Sequence, residues 1–367
     1  MKNRKTLCAF LLTGAMVLGM GTSVFADGEA TNNVPTIGGV GTEQSPAEPT
    51  ITKRLELADG ITVPDMTFKF NVTAVTQDAP AASISDISFS NSDSKGDLTD
   101  RKYAIEKPME ITFGTFPHAG QYEYTVTEQS DTYTQSTDGK DSVAYSNDSY
   151  TLLVNVANGS NNSLYVQSVT AKKENVKQDK ILFTNTYTKT TSLTISKTTT
   201  GDLADKTKDF DFKITFMKAG TDNTGTFTGK IGEETVTCQT GVAQNFKLHD
   251  SEKLVFENIP AGTYYKVEEV GALDGYTPSV SVVENGTQTV NGKTENENGN
   301  GVTSEPDGKE HCLAGEDENK VEFTNTYREV ALTGVIMNNL PFLLLIGVGV
   351  CALGLLEFSK KRRTANR

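Results

Sequence analysis

The sequence predicts an all-β protein built from two tandem β-sandwich domains. Its runs of Thr, Val, Ser, Tyr and Phe are short and alternate with polar residues, as half-buried strands do. Gly, Asn, Asp and Pro separate these runs, and no long stretch has a helical period. Between the two apolar ends of the chain lie about 300 residues, which is enough for two domains of ordinary size.

Residues 1–26 have the parts of a secretion signal. Three basic residues within the first five positions precede an apolar run over 7–20, and small residues lead to a cleavage site before Asp27. A membrane-spanning helix needs about 20 apolar residues, more than this run offers, so we predict that the segment is removed on export. Residues 27–48 are polar and rich in Gly and Pro, and we predict a disordered leader there.

Residues 329–367 have the order of a second sorting device. An apolar stretch over 340–356, predicted to cross the membrane, is followed by a basic tail that stays in the cytoplasm. Val-Ala-Leu-Thr-Gly precedes the stretch, and the whole resembles a sortase cell-wall sorting signal, with cleavage between Thr333 and Gly334. The usual Leu-Pro-x-Thr-Gly contains a proline that this chain lacks. The alternative is a plain single-span membrane anchor.

The charge of the chain argues against nucleic acid as a partner. The 34 Lys and Arg stand against 47 Asp and Glu, which gives a formal net charge of −13. Eight of the basic residues lie in the signal or in the cytoplasmic tail, so the exported part is more acidic still. Binding to nucleic acid needs basic patches that neutralise phosphates, and an acidic body of this kind suits an extracellular protein instead.

Only two cysteines belong to the exported part. Cys8 lies in the signal and Cys351 in the apolar tail, which leaves Cys238 and Cys312. In an oxidising compartment these two either form one disulfide or remain independent thiols, and their spacing does not decide between the alternatives. No Cys or His cluster has metal-ligand spacing, so the sequence predicts no metal site, no catalytic triad and no cofactor.

An internal repeat defines two domains, 49–188 and 189–328, joined by a very short linker near 188–192. Each copy opens with a strand that bears a lysine, continues to a strand that ends in a glutamate, and closes with Phe-Thr-Asn-Thr-Tyr. The three residues are Lys53, Glu128 and Asn185 in the first copy and Lys197, Glu269 and Asn325 in the second. The lysine-to-glutamate separations are 75 and 72 residues, a match that unrelated domains would not share by accident.

Strand parity places all six residues on the apolar faces of their strands. Because side chains alternate across a strand, Lys53 lies on the same face as Ile51 and Leu55, and the other five residues likewise share faces with apolar neighbours. For a single lysine, a strand end that reaches solvent is the commoner explanation. That explanation does not account for all six residues lying on apolar faces in two copies of the repeat. Three unpaired polar groups per core would be expensive to bury, but the cost disappears if they react.

The three residue types can form a covalent crosslink. Burial lowers the pKa of a lysine and raises that of a glutamate, so both tend to be neutral together. A neutral amine is a nucleophile, and a protonated carboxyl can hydrogen-bond to the asparagine side-chain carbonyl and polarise it. Attack on the asparagine would expel ammonia and leave an amide, in a single-turnover reaction that the fold accelerates by holding the reactants together.

At these residues the chain resembles the isopeptide-bonded pilins of Gram-positive bacteria, in particular the two-domain major backbone pilins of the streptococcal type. The resemblance covers the order Lys, Glu, Asn in both copies, the Phe-Thr-Asn closure and the sorting tail. It implies immunoglobulin-like domains of the CnaB type. It also implies crosslinks Lys53–Asn185, assisted by Glu128, and Lys197–Asn325, assisted by Glu269.

The resemblance further implies a covalent polymer on the cell surface. The implied partners are a class C-type pilus sortase, a housekeeping sortase, other copies of the chain, minor or tip pilins, and peptidoglycan. In the family a lysine before the last strand of the N-terminal domain links the subunits. That position points to Lys177 or Lys180, with Lys172 and Lys173 as further candidates.

Two rival functions are open at this point. A monomeric wall-anchored adhesin would share the signal, the crosslinks and the tail, but would usually add a larger ligand-binding region. A surface hydrolase would need a catalytic constellation, and the sequence offers none apart from the crosslink residues. A shaft subunit of a pilus therefore explains the two compact domains best.

Overall fold

The computed structural model describes residues 37–217, 225–270, 274–294 and 301–327, together with the single residue 345. The predicted signal, the cleavage pair Thr333 and Gly334, and the predicted membrane span apart from that one residue lie outside the described residues. Within the described ranges, no helix is both long enough and apolar enough to cross a membrane.

The first half of the chain is a sequence of strands joined by turns, with one short 3₁₀ turn at Ser160–Asn162. The strands are β1 (Thr50–Ala58), β2 (Met66–Phe68), β3 (Phe70–Ala74), β4 (Ala82–Ile84), β5 (Ile87–Phe89), β6 (Lys102–Phe113), β7 (Gly120–Glu128), β8 (Asp141–Ala144), β9 (Ser149–Asn158), β10 (Leu164–Lys173), β11 (Val176–Gln178) and β12 (Ile181–Thr200).

These strands form a sandwich around one apolar core. One sheet has the order β4, β6, β1, β12, β8, and the other has the order β11, β10, β9, β7, β3, while β2 and β5 pair as a separate ribbon. Along β1 every second residue from Ile51 to Leu57 is buried, as the alternation in the sequence predicts. The first strand of the sandwich, β1, lies parallel to its last, β12.

The second half of the chain repeats this architecture. Its strands are β13 (Phe210–Met217), β14 (Thr226–Ile231), β15 (Glu234–Gln239), β16 (Gln244–Leu248), β17 (Lys253–Pro260), β18 (Thr263–Val270), β19 (Tyr276–Glu284), β20 (Thr287–Lys293), β21 (Cys312–Ala314) and β22 (Lys320–Tyr327). The end of β12 joins the sheet β15, β14, β17, β12, β22, β19, β20, which faces the sheet β16, β13, β18, β21. The all-β class with two tandem sandwiches is confirmed.

A single strand connects the two sandwiches. The strand β12 has 20 residues; it pairs with β1 in the first sandwich and, from Thr190 onward, with β17 and β22 in the second. The predicted short linker near 188–192 is therefore part of a continuous strand. Thr-rich sequence without Gly or Pro favours extended backbone there. Side chains reinforce the junction, since Tyr264 donates to Asp59 at 2.8 Å and Lys189 pairs with Glu316 at 3.1 Å.

The prediction of a disordered leader over 27–48 is wrong for residues 37–48. The backbone N–H of Gly41 donates to the carbonyl of Gln167 at 2.7 Å, and Ile37 is buried against the first sandwich. The physical reason is an open sheet edge, because β11 pairs only with the end of β10. The leader satisfies backbone groups that β10 would otherwise leave unpaired.

The disulfide alternative for Cys238 and Cys312 is also wrong. Both thiols are free and fully buried, Cys238 on β15 and Cys312 on β21, in opposite sheets of the second sandwich. Burial raises the pKa of each thiol to about 12. They are therefore protonated at neutral pH and behave as small apolar core residues.

Candidate functional site: a Lys-Glu-Asn cluster in each sandwich

The first cluster joins the first strand of its sandwich to the last. Lys53 lies on β1 and Asn185 on β12, and the parallel register pairs Lys53 with Phe183 and Leu55 with Asn185. The lysine and the asparagine are thus two positions apart on adjacent strands, and both face the core with no exposed surface. Glu128, at the end of β7, reaches them from the opposite sheet.

The carboxylate of Glu128 bridges the two nitrogens of this cluster. Lys53 Nζ donates to Oε2 at 2.8 Å, and Asn185 Nδ2 donates to Oε1 at 2.6 Å. The carbonyl oxygen of Asn185 has a different partner, the backbone N–H of Ser146 at 2.8 Å. The sequence led us to expect the glutamate on the carbonyl oxygen. The structure instead places it on the nitrogen that would leave as ammonia.

The surroundings of the first cluster disfavour charge. Lys53 Nζ lies 4.5 Å from the centre of the Phe68 ring. Burial lowers the pKa of Lys53 to about 8, although the bond to Glu128 opposes this shift, and burial also raises the pKa of Glu128. Both shifts favour the neutral forms, amine and carboxylic acid, that condensation with an amide requires.

The second cluster repeats the geometry of the first. Lys197 lies on β12 and Asn325 on β22, and the parallel register again pairs the lysine with a phenylalanine, Phe323, two positions before the asparagine. Lys197 Nζ donates to Glu269 Oε1 at 2.8 Å, and Asn325 Nδ2 donates to the same oxygen at 2.7 Å. All three side chains are buried, as strand parity predicts.

The surroundings of Lys197 resemble those of Lys53. Nζ lies 4.2 Å from the centre of the Phe210 ring and 5.6 Å from that of Phe212. Burial lowers the pKa of Lys197 to about 8, against the attraction of Glu269. The amine of the second cluster is therefore also biased toward its nucleophilic form.

The hydrogen bonding of the second cluster is less complete than that of the first. Among the described residues, six buried side-chain oxygens have no hydrogen-bond partner, and three of them belong to this cluster or its direct neighbour. They are Asn325 Oδ1, Glu269 Oε2 and the hydroxyl of Thr199, the residue that pairs with Asn325 across the strands. Sequence reasoning missed both Thr199 and Ser146. Thr199 is two residues after Lys197 on the same strand and so faces the same side, which strand alternation could have predicted. Ser146 reaches Asn185 only because the loop before β9 folds over it.

The candidate linkage lysines lie on the first sandwich. Lys177 is on β11 and Lys180 directly precedes β12, and both are exposed. Lys172 and Lys173 are half-buried on β10, where Lys173 pairs with Asp148 at 2.6 Å. Within the described residues, no group of three or more His, Cys, Asp or Glu side chains has the geometry to hold a metal ion.

Comparisons with known proteins cover both halves of the chain. Residues 49–188 match the family model of a Spy0128-like isopeptide containing domain, and residues 191–327 match a domain family of unknown function (DUF7601). A pilin of Streptococcus pyogenes serotype M1 is 29% identical over 86% of this chain and 91% of its own length. The pilus tip adhesin Cpa of Streptococcus pyogenes is 37% identical over 147 residues, which are 40% of this chain and 18% of the adhesin.

Solved structures with a related chain include the major pilin of Streptococcus pyogenes. Its crystal structure is 23% identical in sequence, the match covers 76% of this chain and 98% of that one, and the TM-score is 0.35. Another major pilin, T-13, is 23% identical over 81% of this chain, with a TM-score of 0.34.

By its sequence relatives and its all-β architecture, the chain is similar to one class of proteins, the pilins. More particularly, residues 49–188 belong to the family of Spy0128-like isopeptide containing domains, and the chain as a whole is similar to a pilin of Streptococcus pyogenes.

Proposed function

We propose that the chain is the shaft subunit of a covalently polymerised surface pilus and that each sandwich crosslinks itself, Lys53 to Asn185 and Lys197 to Asn325. The observation that carries the proposal is the repetition of one buried geometry. In both sandwiches a carboxylate bridges a lysine nitrogen and an asparagine amide nitrogen at 2.6–2.8 Å, on parallel neighbouring strands. Ordinary buried ion pairs would not explain why the amide belongs to each cluster.

The chemistry follows from the bridging carboxylate. In the first sandwich Glu128 takes a proton from Lys53, and the neutral Nζ attacks Cγ of Asn185. Glu128 then delivers its proton to Nδ2 as the Cγ–Nδ2 bond breaks, and it recovers one proton from Nζ. The products are an amide between the two side chains, a molecule of ammonia and a protonated Glu128. Glu269 serves the second sandwich in the same way.

The position of the crosslinks suits a protein under tension. The first and last strands of each sandwich are parallel neighbours, so a pull on the two chain ends shears them past one another. A covalent bond between these strands would carry the load directly. The polypeptide between each lysine and its asparagine would then remain folded while the fibre is stretched.

Polymerisation is proposed to use the C-terminal signal and a lysine of the first sandwich. A class C-type sortase would cleave after Thr333, and an amine of the next subunit would attack the resulting acyl group. The exposure of Lys177 and Lys180 supports both as acceptors. A housekeeping sortase would then join the finished polymer to peptidoglycan.

Immunoblots of surface extracts test this function. Wild-type cells should give a ladder of high-mass species, and Lys177→Arg with Lys180→Arg should abolish it, because arginine keeps the charge but has no primary amine. Lys172→Arg with Lys173→Arg is the matched control and should leave the ladder unchanged. A single wall-linked species in wild-type cells would instead indicate a monomeric adhesin.

A further inference from the structure

The carbonyl oxygen of the reacting asparagine is treated differently in the two clusters. In the first, Asn185 Oδ1 accepts a hydrogen bond from the backbone N–H of Ser146 at 2.8 Å. In the second, Asn325 Oδ1 is buried and has no partner. Attack by an amine turns this oxygen into an oxyanion, and a donor aimed at such an oxygen is commonly the largest single contribution to catalysis.

One donor lies beside the unpartnered oxygen. Thr199 pairs directly with Asn325 across the parallel strands, which are about 4.8 Å apart. Its side chain is fully buried, and its hydroxyl is itself without a hydrogen-bond partner. A buried hydroxyl without a hydrogen-bond partner destabilises the folded state by about 1–3 kcal/mol. Two such groups side by side therefore need a physical explanation.

The backbone of Thr199 is held on both sides. Its N–H donates to Asp250 Oδ1 at 2.6 Å, and its carbonyl accepts a hydrogen bond from Lys206. Because the backbone of Thr199 is fixed, its hydroxyl has a defined position in the core, as a preorganised donor requires. In the first sandwich the equivalent position is Leu55, which pairs with Asn185 and whose side chain has no hydrogen-bond donor. Each cluster thus has one candidate donor, from the backbone in the first and from a side chain in the second.

We propose that the Thr199 hydroxyl donates a hydrogen bond to Oδ1 of Asn325 as negative charge develops there during attack by Lys197. This inference rests on the proposed crosslinking function. The new bond joins Nζ to Cγ, the bond from Cγ to Nδ2 breaks, and ammonia leaves. Thr199 keeps its proton throughout. In the product the amide oxygen retains the hydroxyl as its hydrogen-bond donor, so two of the unpaired groups satisfy one another.

The test measures bond formation in each sandwich of the same molecule. The full chain, recovered unfolded in urea from inclusion bodies, is diluted into folding buffer, quenched at intervals and digested. Mass spectrometry then follows the two crosslinked peptides separately, so the Lys53–Asn185 bond serves as an internal clock. The variants are Thr199→Val, which replaces the hydroxyl by a methyl group, Thr199→Ser, which retains it, and Thr198→Val as an exposed neighbour.

Thr199→Val should slow the Lys197–Asn325 bond about 100-fold, the usual effect of removing one oxyanion donor. Thr199→Ser and Thr198→Val should form it at the wild-type rate, and the Lys53–Asn185 bond should be unaffected in every variant. Circular dichroism should show wild-type folding of Thr199→Val, since an apolar group of the same shape replaces an unpaired hydroxyl.

Three results would overturn the inference. An unchanged rate in Thr199→Val would remove the donor role while leaving the crosslinking function intact. Slow or incomplete folding of Thr199→Val that matches its slow bond formation would assign Thr199 a packing role. Absence of the Lys197–Asn325 bond in the wild-type chain would overturn both this inference and the proposed function of the second sandwich.

Discussion

The two clusters share the residue types Lys, Glu and Asn but differ in how the surrounding core satisfies their hydrogen bonds. In the first, both carboxylate oxygens of Glu128 and the carbonyl oxygen of Asn185 have hydrogen-bond partners. In the second, Glu269 uses one oxygen for both nitrogens, and its other oxygen and Asn325 Oδ1 are unpaired. The bridging carboxylate is therefore common to the two clusters, whereas a hydrogen-bond donor to the asparagine carbonyl is observed only in the first.

The largest expected effect comes from removing that common part. Glu128→Ala and Glu269→Ala should each leave one bond unformed and the other intact. The loop closed by each crosslink exceeds 100 residues, so loss of the bond should lower the free energy of unfolding by about 4–5 kcal/mol, as for a disulfide that closes a loop of this size. Calorimetry and peptide mapping measure the two effects.

Neighbouring glutamates on the same strands provide the controls. Glu123→Ala on β7 and Glu268→Ala on β18 change side chains that do not reach the clusters, so both bonds should form. If Glu128→Ala or Glu269→Ala still formed its own bond at the wild-type rate, the bridging carboxylate would not be the shared requirement.

The next effect concerns the donor of the first cluster. Ser146→Pro removes the backbone N–H that Asn185 Oδ1 accepts, and it should slow the Lys53–Asn185 bond about 100-fold. Ser146→Ala keeps the N–H and should form the bond at the wild-type rate. Time courses of both crosslinked peptides decide the matter. Equal slowing of the two bonds by Ser146→Pro would indicate general misfolding and contradict the local role.

The pH dependence should be similar for the two clusters, because burial lowers the pKa of Lys53 and of Lys197 to about 8. Below that pH each lysine and glutamate pair retains the proton that must reach the leaving nitrogen. Above it the lysine has lost that proton to solvent, and none remains for the carboxylate to pass to the leaving nitrogen. The rate of bond formation should therefore fall about tenfold per pH unit above pH 8, as for loss of one essential proton.

The same refolding assay, run in buffers from pH 5 to 10, measures the rate of formation of both bonds and thus the expected fall above pH 8. Rates that continued to rise to pH 10 would show that the neutral amine alone limits the reaction. The glutamate would then not act as a proton donor.

The smallest effect is expected at the cysteines. Cys238 is a free, buried thiol, so Cys238→Ala should lower the free energy of unfolding by about 1 kcal/mol, typical of a single core substitution. This is well below the effect of Glu269→Ala in the same sandwich. Calorimetry with and without a reducing agent compares the two. A loss as large as that of Glu269→Ala, present only under oxidising conditions, would indicate a disulfide that the structure does not contain.

Strand parity predicted the burial of the cluster residues correctly but not their supporting contacts. Burial of Lys53, Asn185, Lys197 and Asn325 follows from local alternation, because the side-chain period of a strand is two. The contact of Ser146 with Asn185 joins a loop to a distant strand, and no local pattern encodes it. The ordered segment 37–48 was missed for a related reason, since an open edge of β10, not its own composition, orders it.

The most direct test of the central claim is the mass of the chain itself. Each condensation releases one ammonia, about 17 Da, so the folded full chain, produced without sortase, should be about 34 Da lighter than its sequence requires. Digestion should release one peptide pair joined through Lys53 and Asn185 and another joined through Lys197 and Asn325. An unmodified mass, with both lysines and both asparagines recovered in separate peptides, would contradict the account.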